Sequence, residues 1–71
     1  MAENNAVLER FGKSVRERRL LLGLTQEDLA DASGLHRTYI AGIEAGRRNI
    51  TLRVLARLAT SLQVPPAELL K

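Results

Sequence analysis

Arg37 and Thr38 carry the side chains in this chain best suited to reading another molecule by hydrogen bonds. A guanidinium donates two parallel bonds to the O6 and N7 edge of guanine, and threonine offers base edges a hydroxyl beside a methyl that suits thymine. Both stand at the beginning of a helical pattern. The nearest acid further along that helix is Glu44. Tyr39, the only tyrosine, has three places open to it: beside a phosphate, against a base edge, or partly in the core. His36 either touches phosphate or only starts the helix. Gln26 stands at the start of an earlier helix, where a backbone amide and a side-chain amide can meet one phosphate oxygen.

Other chemistries find little to stand on. Ser14, Ser33, Ser61 and His36 lack the spacing of an activated nucleophile, and no glycine-rich phosphate loop or paired carboxylates occur, so no enzyme is expected. Glu27 and Asp28 are explained by the dipole at a helix start. One histidine and no cysteine leave neither zinc nor disulfide as a solution, and no cofactor or metal is expected. No run of eighteen apolar residues is present, and MAENNAVLER is too polar for a signal peptide; a cytoplasmic protein with no membrane partner is the expectation.

The elements that must position these residues are helices. Seventy-one residues make one domain, spanning 1–71, and are few enough that a partner subunit is the expected source of extra stability. With one Phe, one Tyr and no Trp, the core must be aliphatic. Met1 to Asn5 carry no pattern; a first helix then runs from Ala6 to about Leu22, with Leu8, Phe11, Val15 and Leu22 on one face and Gly23 ending it. Gly12 inside it costs about 1 kcal/mol against alanine, which marks either close packing or nothing. Thr25 caps a second helix from about Gln26, burying Leu29 and Ala30, and Gly34 allows a sharp turn into a third that buries Ile40 and Ile43. Residues 25–44 therefore form a helix-turn-helix. Gly42 either lets this third helix approach a ligand closely or relieves crowding against another helix.

Gly46 can close the third helix, and Arg47, Arg48 and Asn49 form a loop before Thr51 caps a fourth. Leu52, Leu55, Leu58, Ala59 and Leu62 give the fourth helix its apolar stripe, and Pro66 opens a short fifth. Val54, Leu69 and Leu70 exceed what that stripe uses, so they are the expected homodimer contact. The charge balance is 11 − 8 = +3. It is concentrated in two patches, one of Arg10, Lys13, Arg16, Arg18 and Arg19, the other of Arg47, Arg48, Arg53 and Arg57. Such patches suit phosphates, without reading sequence.

Thr25-Gln26, Leu29-Ala30, Gly34, Tyr39-Ile40, Ile43-Glu44 and Gly46 resemble the Cro/C1-type (Xre-like) DNA-binding family. Within it, GLHRTYIAGIEAGRRNITL is most similar to the controller proteins of restriction-modification systems. The resemblance covers Phe11 to Leu70 and implies an all-α, five-helix, lambda-repressor-like domain that binds a palindromic double-stranded DNA operator as a dimer. It places Tyr39 in the DNA-facing set, lays the Arg47–Asn49 loop on the DNA backbone, and pairs Arg19 with Glu44 as a structural ion pair. The implied role is a transcriptional regulator of a restriction-modification operon, with RNA polymerase as a further partner and no small-molecule ligand. A phage-type or chromosomal Xre-like repressor, and an antitoxin-type protein-interaction module, are the rival roles.

Overall fold

Where each helix starts and stops follows from chemistry within a few residues of its ends. The computed structural model describes residues 2–71. They form α1 (Ala2–Leu21), α2 (Gln26–Ser33), α3 (Arg37–Glu44), α4 (Leu52–Ser61) and α5 (Pro66–Leu69), with no strand among the described residues. Thr25 Oγ1 accepts from the Asp28 amide at 2.9 Å while Asp28 Oδ2 accepts from the Thr25 amide, also at 2.9 Å. This reciprocal box satisfies two amides that α2 cannot satisfy internally. The bond from the Thr25 backbone amide, with a lesser one from the Thr25 side chain, holds the Asp28 carboxyl below its ordinary range because both favour its charged form. Thr51 caps α4 with its hydroxyl alone, accepting from the Val54 amide at 3.1 Å.

The first four helices end alike. The amides of Leu24, Leu35, Arg47 and Val64 donate to the carbonyls of Arg19, Ala30, Gly42 and Ala59, at 3.0, 3.2, 2.9 and 3.0 Å. That closure needs one residue in the left-handed region, supplied by Gly23, Gly34, Gly46 and, in α4, by Gln63 at φ 62°. Gln63 lacks a glycine's freedom, and the end it occupies is held from outside: Arg18 Nε donates to the Leu62 carbonyl at 3.0 Å. At the other extreme of the chain, α1 starts at Ala2 and not at Ala6 as expected. Ala2 to Asn5 contain no Gly or Pro to break a helix, so the periodic segment propagates back through them. Met1 lies outside the described residues.

All five helices contribute to one core: Phe11 and Val15 from α1, Leu29 and Ala30 from α2, Ile40 and Ile43 from α3, Leu55, Leu58 and Ala59 from α4 with Leu62 at its C-cap, and Leu69 from α5. Two expectations fail here. Leu52 is 83% exposed, since nothing covers the first residue of α4, and the buried stripe begins at Leu55 with Val54 packed partly against it. Leu69, expected as spare surface for a partner, is 2% exposed, because α5 folds back against α4 and α1 and spends it on the core.

The packing of α1 on α3 decides the question of Gly12. A Cβ there would overlap the Ile43 carbonyl oxygen and stand 2.9 Å from that of Glu44, so the two helices meet with bare backbone at this point. Gly12→Ala is expected to destabilise the fold by about 2 kcal/mol, the overpacking cost exceeding alanine's helical advantage. Urea unfolding measures it; a stability equal to or above the parent would show that the two backbones can separate freely.

Candidate nucleic-acid interface

At the amino-terminal end of α3 the buried stripe of Ile40, Gly42 and Ile43 forces Arg37 and Thr38 outward, and both are exposed. His36 is the residue before the helix, and its Nδ1 accepts from the Thr38 amide at 3.1 Å. His36 therefore caps the start of α3. Arg37 and Thr38 both stand in the first turn of α3, where the dipole already favours negative charge.

The opposite end of α3 is fixed to the rest of the molecule. Arg19 Nε and Nη2 donate to the two carboxylate oxygens of Glu44 at 2.7 and 2.9 Å, and Nη1 donates to the Leu24 carbonyl at 2.8 Å. The side chains are only 8% and 4% exposed, as the expected structural pair requires. The bond to Glu44 raises the Arg19 pKa and outweighs the burial that would lower it. Gln26 Nε2 joins the group, donating to Glu44 Oε1 at 3.1 Å. Its amide nitrogen, expected to face phosphate, therefore points at the carboxylate instead, because Glu44 keeps an acceptor site that Arg19 leaves open.

Beyond Glu44 the chain doubles back along α3. Tyr39, in the DNA-facing set that the resemblance implies, gives its hydroxyl to the loop: Oη donates to the Asn49 carbonyl at 2.9 Å. Arg48 lies over the same ring, its guanidinium carbon 5.8 Å from the centroid, within reach of a cation–π contact. A Cβ on Gly42 would stand 2.6 Å from Arg48 Cγ, so this glycine makes room for an arginine of its own chain and not for bare approach to a ligand. Arg47, Arg48 and Asn49 remain exposed as a group.

The first basic patch is divided by the fold. Arg10, Lys13 and Arg16 are exposed, whereas Arg19 is in the buried pair and Arg18 donates to the carbonyls of Leu62 and Gln63 at 3.0 and 3.4 Å. Sequence reasoning missed that use of Arg18, the Gln26–Glu44 bond and the Arg48–Gly42 contact. No local signal announces a bond between residues 44 positions apart, as in Arg18 and Leu62. Among the described residues no helix is long and apolar enough to cross a membrane.

Two packed helices, a glycine turn and an exposed polar amino-terminus on the second define a DNA-binding helix-turn-helix. The helix-turn-helix family model matches residues 15–69, and the chain belongs to this family, in its Cro/C1-type branch of transcriptional regulators. The relatives are more particular. Control protein C.SmaI of Serratia marcescens is 44% identical over 64 residues, covering 90% of this chain and 76% of that protein. The crystal structure of the restriction-modification controller protein C.AhdI from Aeromonas hydrophila superposes with a TM-score of 0.88 at 48% identity, over 90% of this chain and 97% of that one. C.Esp1396I bound to a 25 base pair operator site superposes with a TM-score of 0.78 at 42% identity, over 83% of this chain and 78% of that one.

Proposed function

We propose that this protein is a restriction-modification controller that regulates its own operon from the cytoplasm by binding a palindromic operator as a homodimer. The observation that carries the proposal is the polarity of α3: Arg37 and Thr38 are free at one end, while Arg19 and Gln26 grip Glu44 at the other. A helix held in that way presents its first turn to a major groove, where Arg37 and Thr38 read base edges. The loop of Arg47, Arg48 and Asn49 takes the flanking phosphates, joined by the backbone amides at the start of α2. Activation or repression then follows from which operators are filled, with RNA polymerase as the further partner of the activating state.

Two recognition helices require two subunits, and the C-terminal third retains apolar surface for them after Leu69 is withdrawn to the core. Leu52 and Leu70 are exposed, with Val54 half-buried between core and solvent. Sedimentation at tens of micromolar, an order-of-magnitude concentration, is expected to give a dimer, and one dimer per palindrome on a duplex selected from a random pool. A monomer at that concentration, or equal affinity for selected and scrambled duplexes, overturns the reading.

A further inference from the structure

We propose that Tyr39 is a positioning residue for the phosphate-binding loop, holding Arg47, Arg48 and Asn49 in fixed relation to Arg37 on the same helix. The proposal deepens the DNA-binding reading and rests on it. Three contacts fold the loop onto α3. The Arg47 amide donates to the Gly42 carbonyl at 2.9 Å, the Tyr39 hydroxyl donates to the Asn49 carbonyl at 2.9 Å, and Arg48 fills the notch over Gly42 and lies across the Tyr39 ring. Each is made to α3, from Tyr39 in its first turn to Gly42 three residues on.

The chemistry of the stack leaves the loop able to bind. An arginine beside an aromatic ring is attracted through its charge and need not spend an N–H donor on a protein oxygen. Arg48, 5.8 Å from the Tyr39 ring centre and exposed, keeps donors for a phosphate. The Tyr39 hydroxyl has one proton, and giving it to Asn49 fixes the backbone while leaving the Asn49 side chain free. A loop ordered before DNA arrives does not pay that ordering cost on binding. The gain applies equally to every duplex, because phosphates are the same in all of them.

Tyr39→Phe isolates the effect, since it keeps the ring and its stack and removes only the hydroxyl. Affinity for the selected duplex and for a scrambled one is expected to fall by the same factor, about three- to tenfold, the worth of one net hydrogen bond. In an Arg47→Ala/Arg48→Ala background the same substitution should change affinity by less than about twofold, because of the groups it positions only the uncharged Asn49 remains. In the free protein, the Arg47 amide should exchange with solvent faster in Tyr39→Phe than in the parent. Loss confined to the selected duplex would make Tyr39 a base reader and overturn the proposal. So would an undiminished loss in the arginine-free background, or an unchanged Arg47 exchange rate. A parent protein that binds no duplex removes the DNA-binding reading instead, and the exchange measurement, made without DNA, still tests the loop contact.

Discussion

Replacing Arg19 by alanine is expected to destabilise the fold by about 3 kcal/mol, the range in which removal of one member of a buried ion pair falls. The substitution deletes both donors to Glu44 and the donor to the Leu24 carbonyl, leaving a carboxylate 4% exposed with one neutral partner, Gln26 Nε2. Glu44→Ala should cost a similar amount, since the guanidinium then keeps only Leu24. The sign of the coupling is the sharper part of the expectation: the double substitution should cost less than the two singles summed, because neither charge is then stranded. Urea unfolding of the four proteins gives all the terms. Singles costing under about 0.5 kcal/mol each would place the pair with exposed ion pairs and contradict its role in joining α1 to α3.

On DNA the largest contrast lies between Arg37 and the loop arginines. Arg37→Ala should cost about 1 to 3 kcal/mol on the selected operator while scrambled duplex is bound nearly as before, so discrimination falls. Arg47→Ala should weaken both duplexes alike and flatten the logarithmic salt dependence by about one unit, leaving discrimination intact. Both variants look impaired in an assay on one duplex at one salt concentration. Titrations on both duplexes across several salt concentrations separate them, and equal losses for Arg37→Ala on the two would falsify its assignment to base edges.

The parts of this structure legible in the sequence are those whose cause is local. Thr25, Thr51, Gly23, Gly34 and Gly46 mark helix ends through bonds spanning at most five residues, and each does so in the fold. Periodicity found the inward residues of α2 and α3 for the same reason. It misassigned Leu52 and Leu69 because exposure depends on what lies opposite. Nothing faces the first residue of α4, and α5 turns back onto the core. The Arg19–Glu44 pair was reached through family resemblance alone, since of the apolar residues beside it Ile43 is buried but Leu20 is 54% exposed. Gln26 and Tyr39 look like polar surface residues in one dimension; their bonds to Glu44 and Asn49 exist only once α2 and the loop pack against α3.

The clamp on Glu44 makes α3 a lever. Seven residue steps at 1.5 Å each put Arg37 about 10 Å from the fixed end, so a tilt of about 5° there swings it by about 1 Å. A bidentate hydrogen bond to a base tolerates about half of that. The bare backbone contact at Gly12 and the buried carboxylate at Glu44 therefore set the aim of a side chain neither of them touches. Changes at the fulcrum should reach bound DNA as errors of angle, altering which sequence is preferred as well as how stably the protein folds.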